Sequence, residues 1–372
     1  MHMRQPRPTR RQLLATPLAL VPASTASTAR ASAAGLGALA AQRGVIFGST
    51  LTRGQVEESP EMLRIATDDM AMIVPGFEFK WPALRPSAGA FDFSGADAML
   101  RFAEQRGQAA RGHALVWHGA LPAWFGDGPA DAAGMHALLR RHIGTVAGRY
   151  AGRLHSWDVV NEPVEPWDGR PDGLRASPFL RALGPDYIDL SFRLAAAADP
   201  AARLTLNEYG LELATAEQEA RRTALLALLE GMLRRGVPVH AIGIQAHLAA
   251  AASADFDPAV LRRFIRRVAG LGLDCYVTEL DVTDRGLPAG IAARDAAVAR
   301  TYRGFLEAVL AEPAVKLVVL WGISDRYTWM NDSRFARRED GLPVRPHPYD
   351  NEFRPKPAWH AIAGALRAAP PR

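Results

Sequence analysis

Eight short apolar runs rich in β-branched residues, each followed by a longer stretch with helical periodicity, fill the chain from about residue 44 onward. The runs cover residues 44–48, 70–75, 109–115, 154–160, 203–207, 241–247, 274–279 and 316–321. No Pro- or Ser-rich linker interrupts this series, which predicts an α/β fold: one (β/α)8 TIM barrel domain. An open doubly wound sheet is the alternative, but no Gly-rich phosphate-binding turn follows an early run.

Helix boundary signals support the alternation of strands and helices. The clearest helix is predicted over residues 215–235, where Thr215 and Gln218 have the spacing of a capping box and several leucines share one broad face. Gly236 follows as a stop signal, and Asp257 before Pro258 indicates the start of the next helix. These signals fix where two of the expected helices begin and end.

The N-terminus has the features of an export signal. Residues 9–14 read Thr-Arg-Arg-Gln-Leu-Leu, a short apolar run follows, and residues 31–33 read Ala-Ser-Ala. Pro17 and Pro22 break the apolar run, which is too short for a membrane anchor. We therefore predict a twin-arginine signal peptide over 1–33, a catalytic barrel over 34–372, and a periplasmic or secreted protein. A disordered leader is the alternative.

The charge of the chain is concentrated in that leader. Its five arginines have no acidic counterpart, so the formal net charge of +5 falls to zero when residues 1–33 are removed. A nucleic-acid-binding surface is therefore not expected. The single cysteine, Cys275, excludes an internal disulfide and a multi-cysteine metal site, and its apolar context indicates a buried strand residue. We expect a monomer with no metal and no cofactor.

Polar and aromatic residues collect where the predicted strands end. They are His113, Trp117 and His118 near the end of the third strand, Asn161 and Glu162 at the end of the fourth, Asn207, Glu208 and Tyr209 at the end of the fifth, Gln245 and His247 at the end of the sixth, Glu279 and Asp281 at the end of the seventh, and Trp321 at the end of the eighth. In a parallel barrel these positions converge on one mouth. Glu162 and Glu279 would then face each other across it, and glycoside hydrolysis requires such a carboxyl pair.

Six segments in order, from about residue 46 to the C-terminus, resemble those of glycoside hydrolase family 10, whose main activity is endo-β-1,4-xylanase. They are RGHALVWH at 111–118, WDVVNE at 157–162, QAHL at 245–248, TELD at 278–281, WGISD at 321–325 with a following Trp329, and PKPAW at 355–359. The resemblance implies a retaining hydrolase that cleaves internal bonds of xylan or xylo-oligosaccharides. Glu279 would be the nucleophile and Glu162 the acid/base.

The resemblance also implies supporting roles. Asn161 would bond the 2-hydroxyl of the attacked sugar, and His247 would pair with Asp281 and orient the nucleophile. The other expected substrate-binding residues are Lys80, His113 and Trp117 on the glycone side, Tyr209 and Gln245 near the reacting sugar, and the sugar platforms Trp321 and Trp329. Trp117 is also expected to be a platform, because aromatic rings bury the flat apolar faces of sugars.

Two departures from the family pattern concern the substrate. The family usually has Glu-Asn where this chain has Gly76 and Phe77, and that pair binds hydroxyls of the second glycone sugar. Losing both removes hydrogen bonds that are each worth roughly 0.5–1.5 kcal/mol, unless Glu78 substitutes. After the fifth strand, Glu208 and Gly210 replace the usual Asp and Asn. Both departures leave the catalytic pair intact.

Three alternatives remain open at this point. The first is a retaining glycosidase that acts on other β-1,4-glycans or on short decorated xylo-oligosaccharides, suggested by Gly76 and Phe77. The second is a metal-dependent hydrolase with His113, His118 or His247 as ligands beside Asp281, although no H-x-H or HExxH spacing occurs. The third is a non-catalytic carbohydrate-binding barrel, which the presence of both glutamates disfavours.

Overall fold

The described part of the structure, a computed structural model, contains eight parallel strands closed into a barrel. It covers residues 35–126, 128–129 and 131–372, so the expected leader at 1–33 lies outside the described residues. The strands are β1 Ile46–Leu51, β2 Met72–Pro75, β3 Ala109–Trp117, β4 Ser156–Asn161, β5 Arg203–Glu208, β6 Ala241–Ile244, β7 Asp274–Thr283 and β8 Val315–Leu320. Each pairs in parallel with its sequence neighbours, and β8 pairs with β1 to close the ring. The (β/α)8 prediction is confirmed.

The helices of the described residues surround this barrel. They are α1 Leu36–Ala41, α2 Arg53–Glu58, α3 Pro60–Asp69, α4 Trp81–Leu84, α5 Ser94–Gln105, α6 Ala132–Arg149, α7 Pro178–Leu183, α8 Asp186–Ala198, α9 Ala216–Arg234, α10 Pro258–Gly270, α11 Ile291–Leu310 and α12 Pro357–Ala368. Within residues 35–372, apart from 127 and 130, none of these helices is both long and apolar enough to cross a bilayer.

Two predicted strand boundaries were wrong, because a residue with left-handed backbone lies at each of them. The first strand was predicted to begin at Gly44, but that residue has a φ of +68° and closes the turn after α1. The sixth was predicted as continuous to His247, but Ala246 has a φ of +63° and interrupts it. A short parallel segment, His247–Ala249, then resumes pairing with β7, with His247 opposite Asp281. The interruption thereby sets His247 beside the polar end of β7.

The capping of α9 follows the sequence prediction in part. The hydroxyl of Thr215 accepts the backbone N–H of Gln218, at 3.3 Å, as an N-cap should. The second bond of the predicted capping box is absent, because the Gln218 side chain accepts instead from the backbone N–H of Leu213, at 2.6 Å. That bond ties the α9 start to the loop that precedes it. Asp257 caps α10 as expected.

One layer of the barrel interior and the layer between strands and helices are both apolar. Side chains of β2, β6, β7 and β8 fill one layer inside the barrel: Met72, Val74, Ala241, Tyr276, Leu317 and Val319. Outside the barrel, Cys275 is buried as predicted. Trp157 of β4 is fully buried and its indole N–H donates to Asp199, at 3.0 Å, which fits the core role considered for it from sequence.

Strands β3 and β4 touch closely beneath the site, at Gly112. A methyl group added there would lie 2.1 Å from two ring carbons of Trp157, well inside van der Waals contact. The ring is locked by its bond to Asp199 and by surrounding aromatic side chains, so it has little freedom to move. A glycine is therefore required at this position by packing rather than by φ.

We predict that Gly112→Ala destabilises the protein by about 2 kcal/mol or more, because the overpacked core has to shift. The measurement is the free energy of unfolding in urea. The matched control is Gly144→Ala on the exposed face of α6, where an added methyl meets nothing within 4 Å. That change should be stabilising, by up to about 1 kcal/mol, through helix propensity. Equal stability of the two variants would contradict the packing argument.

Candidate active site

Glu162 follows the last residue of β4 and is held in an unusual backbone conformation. Its φ is +56°, a region that costs a non-glycine residue of order 1–3 kcal/mol. Two contacts hold it there: its N–H donates to the Asn207 carbonyl at 2.8 Å, and its carbonyl accepts from Arg175 Nε at 2.8 Å. The strained turn is thus fixed from both sides by neighbouring elements.

A short chain of amide side chains connects Glu162 with Glu279. Glu162 Oε1 accepts from Asn161 Nδ2 and from Gln245 Nε2, each at 3.2 Å. Asn207 Nδ2 in turn donates both to Asn161 Oδ1 and to Glu279 Oε1, each at 2.7 Å. The two carboxylates predicted to face each other across the mouth therefore belong to one hydrogen-bonded system.

Asn207 is a residue that the sequence interpretation placed at a strand end but gave no site role. Its side-chain oxygen, Oδ1, accepts from Thr278 Oγ1 at 2.7 Å, which determines that the other end of the side-chain amide is the donor. The amide group can therefore donate to Asn161 and Glu279 at once. Its position next to Glu208, at the end of β5, was the sequence signal that could have indicated a role in the site.

Glu279 is almost fully buried, with 4% of its surface exposed. Burial by itself raises the pKa of a carboxyl group, but here it is outweighed by the nearby His113, by His247 and by the amide of Asn207. Together they lower the pKa of Glu279 to about 2. His247 Nε2 lies 3.2 Å and His113 Nδ1 3.9 Å from the carboxylate oxygens. Glu279 is therefore an anion at any pH near neutrality.

His247 stands between two carboxylates. Its Nδ1 lies 2.7 Å from Asp281 Oδ1, the pairing expected from sequence, and its Nε2 faces Glu279. Burial opposes its charge, but the two carboxylates raise the pKa of His247 well above its usual value. Trp329 completes the group, since its indole N–H donates to Asp281 Oδ2 at 2.8 Å.

His113 has a carboxylate partner that the sequence interpretation missed. Asp158, in β4, accepts from Arg111 Nη2 at 2.5 Å and lies 3.0 Å from His113 Nδ1. All three side chains are buried. Asp158 precedes Glu162 by four positions in the same segment, so its inward position in β4 was readable only once the register was known. The His113 ring also packs edge-on against Trp321, with the ring centres 5.2 Å apart.

Lys80 and Trp117, both expected on the glycone side, lie together with Trp321, which was expected to be a sugar platform. Lys80 Nζ is 5.2 Å from the Trp117 ring centre and 6.0 Å from that of Trp321. Burial lowers the pKa of Lys80, although the charges of Glu279 and Glu162 act in the opposite direction. A cation close to both carboxylates, flanked by two aromatic rings, forms one wall of the mouth.

Tyr209 differs from the others in where its hydroxyl is bound. It donates to Glu165 Oε2 at 2.9 Å and accepts from Arg175 Nη2 at 2.8 Å, while the Arg221 guanidinium lies 4.3 Å from its ring centre. The hydroxyl is therefore engaged with the segment after Glu162 rather than with Glu279. Gln245, the other residue expected near the reacting sugar, contacts Glu162 directly.

The departure at Gly76 and Phe77, after β2, has a structural basis. A side chain at Gly76 would come within 2.6 Å of Thr50 Oγ1. Phe77 is 53% exposed and has no polar group to offer a hydroxyl. Glu78 is buried, and its two oxygens accept backbone N–H groups of Arg53 and Phe77 at 2.6 and 3.3 Å. The carboxylate considered as a substitute is thus already in use.

Among the residues that the structure describes, no three His, Cys, Asp or Glu side chains form a group suited to a metal ion. His113 and His247, two of the ligands considered in the metal-dependent alternative, each lie against a carboxylate instead.

Two carboxylates connected through amides at the carboxyl end of a (β/α)8 barrel are the arrangement that a glycoside hydrolase requires. The sequence model of glycosyl hydrolase family 10 matches residues 35–365, and the chain belongs to that family. It is 33% identical to endo-1,4-beta-xylanase 1 of Humicola insolens over 324 residues, covering 86% of this chain and 71% of the relative. It is 32% identical to endo-1,4-beta-xylanase 3 of Hypocrea jecorina, with 86% and 82% covered.

Solved structures give the same picture of the fold. Native xylanase 10B from Thermotoga maritima superposes with a TM-score of 0.80 at 28% identity, covering 89% of this chain and 98% of that one. Xylanase 10B from Thermotoga petrophila RKU-1, solved in complex with xylobiose, also has a TM-score of 0.80 at 28% identity, with 89% and 97% covered.

The charge arrangement predicts a pH effect of His247→Gln. Glutamine keeps a polar side chain of similar reach but removes the cation beside Glu279, so the pKa of Glu279 should rise toward its ordinary value. Glu279 then becomes protonated at a higher pH than in the parent protein. The acid limb of the pH profile of kcat/KM for an aryl xyloside should shift upward accordingly.

The control for this shift is His360→Gln on the exposed face of α12, which should leave the profile unchanged. An acid limb that stays in place in the His247 variant would show that this imidazole does not set the ionisation of Glu279.

Proposed function

We propose that this protein is a retaining endo-β-1,4-xylanase that hydrolyses internal bonds of xylan by double displacement. The observation that carries the proposal is the amide chain that binds Glu162 and Glu279 into one site at the mouth of the barrel. Retaining hydrolysis needs one carboxyl group to attack and one to transfer protons on the same sugar.

Glu279 is proposed as the nucleophile. The depressed pKa keeps it anionic, and the contacts of Asn207 and His247 fix its two oxygens separately. It would attack the anomeric carbon and form a covalent glycosyl ester as the bond to the leaving oxygen breaks. Asp281 and Trp329 would hold His247 in place during this step.

Glu162 is proposed as the acid/base. In the first step its proton goes to the departing xylosyl oxygen. In the second step, the resulting carboxylate takes a proton from the water that attacks the ester and releases Glu279. Asn161 and Gln245 both donate to Oε1 of Glu162, which leaves Oε2 for the substrate side. Asn161 is also proposed to bond the 2-hydroxyl of the attacked sugar.

The glycone sugars are proposed to lie against Lys80, Trp117 and Trp321. Aromatic rings bury the apolar faces of sugars, and the ammonium group and His113 supply donors for hydroxyls. The relatives named endo-1,4-beta-xylanase, and the xylobiose bound to a structural neighbour, support β-1,4-linked xylose as the substrate.

A second candidate keeps the chemistry and changes the substrate. Gly76 and Phe77 offer no polar side chain to the second glycone sugar, and Glu78 is bound to backbone N–H groups. This favours a glycosidase that prefers short decorated xylo-oligosaccharides or another β-1,4-glycan. Rates of reducing-end release from xylan, xylo-oligosaccharides and carboxymethylcellulose distinguish the candidates, and activity on the cellulose derivative alone would refute the xylanase proposal.

The catalytic assignment predicts different behaviour for two variants. Glu162→Ala should lose about 10²- to 10⁴-fold in kcat/KM on xylan but much less on a dinitrophenyl xylobioside, because kcat/KM reports the first step and that leaving group needs no proton. Glu279→Ala should lose activity on both, because no covalent ester forms. Initial rates on the two substrates are the measurement. An equal loss on both substrates in the Glu162 variant would contradict its role as the acid.

We further propose that residues 1–33 are a twin-arginine signal peptide and that the enzyme acts outside the cytoplasm. Arg10 and Arg11 followed by a short apolar run support this proposal. In a bacterial host with twin-arginine export, replacing both by lysine should leave the uncleaved precursor in the cytoplasm. Cell fractionation and the mass of the N-terminus are the measurements. Arg30→Lys is the control, and unchanged export of the double variant would refute the proposal.

A further inference from the structure

The segment that follows Glu162 presents a large aromatic side chain to solvent. Trp167 lies five positions after Glu162, at the centre of a short turn, Pro166–Asp168, and is 63% exposed. Exposed apolar surface near a binding site commonly marks a contact with a ligand.

The turn that carries Trp167 is held firmly at both ends. The backbone N–H of Asp168 donates to the Glu165 carbonyl at 3.1 Å, and Asp168 Oδ2 accepts from the Ala176 N–H at 2.7 Å. Gly169, with a φ of +76°, then reverses the chain. These bonds fix the backbone on either side of the exposed indole.

A partly buried ionic cluster anchors the start of the turn. Glu165 accepts from Arg221 Nη2 at 3.0 Å, from Arg175 Nη2 at 3.2 Å and from the Tyr209 hydroxyl at 2.9 Å. Burial opposes ionisation, but these donors keep the pKa of Glu165 below its usual value. Arg221 also donates to the Val164 carbonyl, at 2.5 Å. The loop is therefore ordered before any substrate arrives, which removes part of the entropic cost of binding.

The same cluster links the turn to the acid/base. Arg175, which contacts Glu165, also donates to the Glu162 carbonyl. Burial and the charge of Arg175 lower the pKa of His118, while the charges of Glu162, Asp168 and Glu165 act in the opposite direction. Arg175 thus connects the turn directly to the backbone of Glu162.

We propose that Trp167 is a stacking platform for a xylosyl unit on the leaving-group side of the cleaved bond. This inference rests on the proposed function, because it takes Glu162 as the acid that protonates the leaving oxygen. Sugars beyond that oxygen continue past Glu162 and come within reach of the segment that follows it. The flat C–H face of a β-1,4-linked xylopyranose suits the exposed indole face.

The test compares Trp167→Ala with the parent enzyme on two substrates. On xylohexaose, whose sugars occupy both sides of the cleaved bond, kcat/KM should fall about three- to tenfold, as expected for the loss of one stacking contact. On 4-nitrophenyl β-xylobioside, which places no sugar on the leaving-group side, kcat/KM should be unchanged. The positions of cleavage in xylohexaose should also shift, and Trp167→Phe should restore most of the parent pattern.

A matched control is Phe335→Ala, which removes an aromatic side chain that is 71% exposed on the loop after β8. It should leave the ratio of the two activities as in the parent. If Trp167→Ala keeps both the hexaose rate and the cleavage pattern, or loses both substrates equally, the platform inference is overturned. A parent enzyme that does not cleave xylohexaose at all would instead refute the proposed function.

Discussion

The site depends on one buried anion and on the groups that compensate its charge. A carboxylate as deeply buried as Glu279 would become protonated if it lacked partners, because desolvation disfavours the charged form. Asn207, His247 and His113 reverse that tendency, and each comes from a different strand segment. The amide of Asn207 has a second effect, since it binds the anion and Asn161 together. The charge state of one carboxylate is therefore coupled to the position of the other.

Backbone strain occurs where this coupling needs a side chain in a particular place. Glu162 and Ala246 both have positive φ, and both are held there by specific bonds. The Glu162 backbone is bound by Asn207 and Arg175, and the Ala246 N–H donates to the buried Glu212 at 3.0 Å. The bend at Ala246 brings His247 opposite Asp281. Strain of this kind persists only where surrounding contacts over-determine it, as at functional sites.

Much of this arrangement could be predicted from the chain, and the errors are informative. The eight strands, the pair of glutamates and the pairing of His247 with Asp281 were all readable from pattern and motif. The bend at Ala246 was not, because its left-handed backbone is held by the distant Glu212, and the shifted start of β1 follows from the left-handed turn that Gly44 closes after α1. The second bond of the capping box at Thr215 failed for a different, local reason, since the Gln218 side chain accepts from the backbone N–H of Leu213 in the preceding loop.

The sequence by itself determined which chemistry is present, because the alternation of strands and helices and the residue types at strand ends are local properties. Only the tertiary structure decided how those groups act on one another. Four examples are the bond from Asn207 to Glu279, the contact of His113 with Asp158, the bond from the Arg53 backbone N–H to Glu78, and the bond from Arg221 to Glu165 before Trp167. Each joins residues that are far apart in the chain or depends on strand register. Hydrogen bonds and burial act over a few ångströms, so they are set by the folded arrangement.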